Sequence, residues 1–203
     1  FWNGLRITHR FMVVLGAFVL SVLVMAGIGL SGMASASASL QALHDESMAR
    51  SQLASESIEQ TLNNRMQVLL AFQHDPTGQL ARIHDHGVDE HLNAIAANQA
   101  RANDIHKKLG EGNLDAKERA LLDAVLAARA AWRPKLAQAI DAVRANNYSA
   151  QTMAEFLAAG RAEGQQVLNT TAALRAYQLE LADQHNQAAQ ERYHHALWIF
   201  VAA

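Results

Sequence analysis

Apolar residues run without a charge from Phe11 to Met33 and then give way to a spaced pattern. At about 1.5 Å of rise per residue, a helix over that run reaches across a hydrocarbon core of about 30 Å. Beyond it the apolar positions recur by threes and fours, the period of helices with one buried face. One such stripe is Ile58, Leu62, Arg65, Leu69, Phe72, and it stops before His74-Asp75-Pro76-Thr77-Gly78, where Pro76 disfavours helix at the preceding residue. A second helix is expected over about 87–109, with Val88, Leu92, Ile95, Ala102, Ile105 and Leu109 on one face. After the turn Gly110-Glu111-Gly112-Asn113, Asp115 and Glu118 have capping-box spacing and open a third helix reaching about Asn146, with Pro134 expected to kink it. Its stripe is Leu122, Leu126, Arg129, Arg133, Leu136, Ile140, Val143. Ser149 is expected to cap a fourth helix with the stripe Gly160, Gly164, Val167, Thr171, Leu174, which continues to the C-terminus.

Four helices joined by short turns predict an all-α fold: an antiparallel up-down-up-down four-helix bundle. Arg6, His9 and Arg10 precede the long apolar run, which by the positive-inside rule places residues 1–10 in the cytoplasm and residues 11–33 across the membrane. Ala34-Ser35-Ala36 also fits a signal-peptide cleavage site, but the run is longer than the usual apolar region of such a peptide. Residues 34–194 are then the periplasmic bundle. Tyr193-His194-His195 opens into Ala196-Leu197-Trp198-Ile199-Phe200-Val201, and residues 195–203 are expected to begin a second, truncated transmembrane helix. The alternative is an amphipathic tail.

Composition supports the helical reading, since Val, Ile and aromatic residues are scarce after residue 33 and the chain has 2 prolines. A net charge of −2 and the lack of a basic block beyond Lys107-Lys108 argue against nucleic acid. The chain has 0 cysteines, which removes disulfides and thiolate metal sites. It has no glycine-rich phosphate loop and no nucleophile elbow, so no enzymatic activity is expected.

Charge interrupts the stripes at Arg65, Arg129 and Arg133, and Arg161 lies beside Gly160. Counted from the helix ends, Arg65, Arg133 and Arg161 fall within one or two turns of a common height. A buried cation needs an anion. One source is salt bridges or solvent; the other is a small carboxylate held by the guanidinium forks. His84-Asp85-His86, with His91 and His74, lies around the first connection. Imidazole and carboxylate can bind zinc or copper, yet without cysteine or a second carboxylate the expectation is exposed or capping histidines, with no metal and no cofactor.

Val14-Leu15-Gly16-Ala17-Phe18, the segment Asn64-Arg65-Met66-Gln67-Val68-Leu69-Leu70-Ala71-Phe72-Gln73-His74-Asp75-Pro76, the histidines that follow, and Tyr193 and Trp198 together resemble a family. It is the bacterial methyl-accepting chemotaxis receptors with a ligand-binding four-helix bundle of the aspartate/serine receptor type. The resemblance implies a homodimer in which first-helix arginines and the fourth helix hold an amino acid. Arg65, with Asn64 beside it, falls at one arginine position, while Gln60 or Thr61, and Leu69, replace the other two. Phe156 to Arg161 correspond to the fourth-helix part of the site, with Gly160 where a hydroxyl residue is expected. The expected ligand site is therefore Asn64, Arg65, Arg129, Arg133, Phe156, Gly160 and Arg161, open to a small organic acid or amino acid. The expected output is a shift of the fourth helix that reaches a cytoplasmic kinase or adaptor through domains outside this sequence, from the bacterial inner membrane. The same sensor on a histidine kinase or diguanylate cyclase, or a ligand-free structural membrane protein, are the alternatives.

Overall fold

A computed structural model describes residues 6–202 and divides the chain into two compact units, one of residues 1–47 with 180–203 and one of residues 48–179. Residues 1–5 of the expected cytoplasmic segment and Ala203 at the far end lie outside the described residues, as do the side chains at 43–44 and 200–202. There is no strand among the described residues.

The first unit contains α1 (Ile7–Ala42) and the C-terminal part of α6 (Gln165–Ala202). α1 buries no residue, and Phe11, Leu15, Phe18 and Leu23 stand exposed along it. It is long and apolar enough to cross a bilayer. The two helices run antiparallel: a Cβ at Gly32 would meet Ala196 at 3.4 Å, and the Arg192 guanidinium donates to Ser35 Oγ and Ser39 Oγ at 3.3 Å each. A π-helical turn, Leu43–Met48, joins α1 to α2.

The second unit is built from α2 (Ala49–Phe72), α3 (Val88–Leu109), α4 (Ala116–Arg144), and α5 (Ala150–Ala159) continued by a π-helical turn (Gly160–Gly164) into α6. The caps follow the local sequence. Asp115 accepts from Glu118 N at 2.8 Å and Glu118 Oε2 accepts from Asp115 N at 2.8 Å, a complete capping box. Ser149 Oγ accepts from Thr152 N at 3.3 Å. At the end of α3, Arg50 donates to the carbonyls of Leu109 (3.1 Å) and Glu111 (2.7 Å), satisfying groups the helix leaves unpaired. Gly112 turns there with φ of 84°, a conformation that favours glycine. Pro134 sits inside α4, which continues unbroken through it to Arg144.

On two helices the core follows the expected stripes only in part: Phe72 on α2 and Leu122, Leu136, Ile140 and Val143 on α4 are buried as expected, and the departures lie between them. On α2 the buried line is Ala54, Ser57, Asn64, Val68 and Ala71, while Leu62 and Met66 are exposed. On α4 it runs Leu122, Val125, Ala128, Trp132, Leu136, Ala139, while Leu126 is exposed. On α2 small residues fill most of the seam, because close helix approach leaves room for Ala and Ser, whereas on α4 Leu122, Trp132 and Leu136 enter it as well. The expected line on helix four holds: Gly160, Gly164, Val167, Thr171 and Leu174 are all buried. Two apolar clusters result, one around Trp132, Phe156, Ile95 and Val68, the other around Ile105, Leu122, Val125 and Leu174.

Candidate functional site

The revised register moves the arginines from the core to its rim, and it separates the expected layer. Arg129 and Arg133 are one turn apart on either side of Trp132 and line a cavity of about 120 Å³ between α2, α3, α4 and α6, together with Thr61, Asn64, Gln99, Asn103, His106 and Val167. Arg65 lies elsewhere. Its guanidinium rests on the Gly160 backbone, where a Cβ would meet Nη2 at 3.2 Å and Nε at 3.3 Å. Arg161 is one position off the buried line and stands exposed. Phe156 is a core residue, its ring 5.7 Å from that of Trp132. The structure thus brings together Asn64, Arg129 and Arg133 of the expected site, and leaves Arg65, Gly160, Arg161 and Phe156 out of that cavity.

The cavity is cationic and lacks an anion. Arg129 Nη2 donates to Asn103 Oδ1 at 2.5 Å, and among the described residues no carboxylate pairs with Arg129 or Arg133. Burial, and then the neighbouring Arg133 charge, lower the Arg129 pKa from its ordinary value. His106 Nδ1 donates to the Ala102 carbonyl, and its Nε2 lies 3.3 Å from the Ser57 hydroxyl, which can serve as donor to a neutral ring. Burial pushes its pKa down, opposed by the Ala102 bond and aided by Arg129. Asn64 Oδ1 is buried and accepts no hydrogen bond from any of the described residues. Two guanidinium groups beside an unused amide oxygen can take a carboxylate and an adjacent donor.

The histidines at the α2–α3 connection do not stand apart as exposed or capping groups. His74 follows the end of α2, a 3₁₀ turn (Leu80–Ile83) brings back His84 and His86, and His91 lies in the first turn of α3, where it is buried. Their ring centroids are 4.1–5.8 Å apart, and one nitrogen from each lies within 4.8 Å of the others. Asp75 folds the chain for this return: its Oδ1 accepts from Thr77 N at 2.9 Å and Thr77 Oγ1 at 2.8 Å, and its carbonyl accepts from Gly78 N at 2.9 Å. Burial, then the neighbouring rings, lower the pKa of His74 and of His91. Gln67, which receives the His91 Nδ1–H at 2.7 Å, was no part of the sequence expectation. Its position six residues before the end of the helical run, on the side of the histidines, was the available signal.

Comparison with curated proteins and with solved structures finds no match. Comparison with known families matches residues 4–193 to the four helix bundle sensory module for signal transduction. With that match over nearly the whole chain, and with the bundle and apolar N-terminal helix the structure shows, the chain belongs to this family of signal-transduction sensors.

Proposed function

We propose that the chain is the sensing module of a transmembrane chemoreceptor, with its bundle in the periplasm and its apolar helix in the bacterial inner membrane, and that it binds a small carboxylate, an α-amino acid above all. The observation that supports this most directly is the Arg129–Arg133 pair in a cavity without a counter-anion. Free energy is gained when an incoming carboxylate supplies it, because the desolvation of Arg129 is already present in the unliganded protein. Asn64 Oδ1 adds an acceptor for the ammonium of an amino acid, which a simple organic acid leaves unused.

Val167 and Trp132 link the cavity to the seam of helix four, where Trp132 packs on Gly164. A ligand drawing α2, α3 and α4 together changes that packing, and the continuous α6 carries a displacement along its length toward the apolar C-terminal stretch. A preference of about 1–3 kcal/mol for one packing is enough to bias an output. The same proposal includes a homodimer, for which the exposed Leu62 and Met66 offer an apolar face on α2, and a cytoplasmic kinase or adaptor controlled through further domains. A histidine kinase or diguanylate cyclase output uses the same sensor.

The test is a thermal-shift and calorimetric screen of the detergent-solubilised chain against amino acids and small organic acids. A ligand at a hundred times its Kd stabilises by about 2.7 kcal/mol. Arg129→Gln and Arg133→Gln should each remove that gain. Stabilisation that survives both substitutions, or no response to any carboxylate, refutes the cavity as the ligand site.

A further inference from the structure

We propose that His74, His84, His86 and His91 form a binding site for one divalent transition-metal ion of the zinc–copper–nickel class, independent of the arginine cavity. Hydrogen bonding fixes which nitrogens are free to coordinate. His86 Nδ1 faces Asp85 Oδ1 at 3.0 Å, and His91 Nδ1 faces Gln67 Oε1 at 2.7 Å. Both partners only accept, so both Nδ1 atoms carry the hydrogen and both Nε2 atoms carry a lone pair. Those two Nε2 atoms face each other at 3.1 Å. Two lone pairs at that distance repel unless a cation lies between them.

The other two rings complete the set. His84 Nε2 lies 3.3 Å from Gln73 Oε1, which leaves its Nδ1 unprotonated and available. His74 Nε2 is buried and has no hydrogen-bond partner among the described residues. Imidazole nitrogens bind zinc at about 2.0–2.1 Å, which in a tetrahedron separates them by about 3.3–3.4 Å. The 3.1 Å pair is within a few tenths of an ångström of that edge, and the outer limit of 4.8 Å asks for modest closure on the loop side, where His84 and His86 ride on the short 3₁₀ return.

The surroundings are those of ligands held by outer partners. Asp85, Gln67 and Gln73 each hold the second nitrogen of one ring, which orients it and, for Asp85, adds a carboxylate that raises ligand basicity and offsets the metal charge. An all-imidazole set favours borderline metals and offers nothing to Mg²⁺ or Ca²⁺, which require oxygen. Coordination would tie the end of α2, the connecting loop and the start of α3 to a single atom.

The experiment uses the full chain in detergent, purified without a polyhistidine tag and stripped with a chelator. Titration with Zn²⁺, Cu²⁺ and Ni²⁺ by calorimetry and equilibrium dialysis should show one ion per chain, unaffected by excess Mg²⁺ or Ca²⁺, and Co²⁺ should give the visible spectrum of a tetrahedral nitrogen site. His86→Gln lies on the partly exposed loop and leaves the core untouched; combined with His91→Gln it should weaken zinc binding by more than about 100-fold. Gln67→Leu removes the orienting partner of His91, together with a bond to Asn63 Oδ1 at 3.3 Å, and should weaken zinc by about 10–100-fold while changing the Co²⁺ spectrum. Circular dichroism checks that each variant remains helical, and Arg129→Gln should leave metal affinity unchanged. Substoichiometric binding, undiminished affinity in the double histidine variant, or displacement by Mg²⁺ overturns the proposal. Loss of metal binding in Arg129→Gln overturns the independence of the two sites.

Discussion

Glu118 offers a sharp test of how the bundle's second apolar cluster is closed. Its Oε2 accepts from Asp115 N at 2.8 Å and its Oε1 accepts from Gln178 Nε2 at 2.7 Å, and both Glu118 and Gln178 are buried. Alanine at 118 removes half of the capping box, worth about 1 kcal/mol. It also leaves the buried Gln178 amide without an acceptor, at about 1–3 kcal/mol. The expected loss is therefore about 2–4 kcal/mol in total. Glu118→Gln should behave differently. Gln178 Oε1 is buried and unpaired, so a flip of the Gln178 amide lets it accept from the new side-chain NH₂, while the new carbonyl still accepts from Asp115 N. The flip exchanges one buried unpaired atom of Gln178 for another, so the net loss is mainly the charge at the α4 N-terminus, about 0.3–1 kcal/mol. Urea unfolding of the detergent-solubilised chain, followed by circular dichroism, separates the two variants by the shift in midpoint at constant slope. Equal losses for the two substitutions would refute the flip, and a loss below about 0.5 kcal/mol for the alanine variant would refute the buried network altogether.

Trp132→Ala should cost about 3–5 kcal/mol, since the ring is buried between Phe156 and the Gly164 backbone; the same urea titration measures it. His106 should make stability depend on pH. Its folded pKa lies below the ordinary 6.5 because of burial, with Arg129 adding to the shift and Arg133 lining the same cavity. The unfolded chain then binds the proton first, so this contribution is complete above about pH 6.5 and is lost as pH falls from there toward the folded value. Subtracting the profile of His106→Gln isolates it from His74 and His91, which shift in the same direction, and a difference profile that stays flat below pH 6.5 would contradict the neutral buried ring.

The elements were legible because their signals are local. Pro76, the Asp115–Glu118 spacing and Ser149 each fix a helix end within a few residues, and the structure places the ends there. The facing of the helices was less legible. A stripe drawn through the largest aliphatic residues picked Leu62 and Leu126, which are exposed, because the α2 seam is filled largely by Ala, Ser and Asn and the middle of the α4 seam runs through Val125, Ala128 and Trp132. That one-position error placed Arg129 and Arg133 in the core, when they flank Trp132 at its rim. The histidines were visible as residues but not as a group: their convergence depends on the path of residues 73–87, set by Asp75, Thr77 and a 3₁₀ turn that no periodic pattern reports. The π turn at Gly160–Gly164 left no trace in a pattern that keeps its four-three spacing through it.

Gly32 opposite Ala196, with Ser35 and Ser39 beneath Arg192, gives α1 and α6 a nearly smooth mutual face. Interlocked ridges of large side chains resist sliding, and small residues supply few of them. The serines are four positions apart, so their hydroxyls repeat about every 6 Å along the helix. Arg192 touches both at once, and a short travel in either direction would keep one and release the other. Were α6 to slide along α1 as proposed, the two serines would act as soft stops on either side of the observed position.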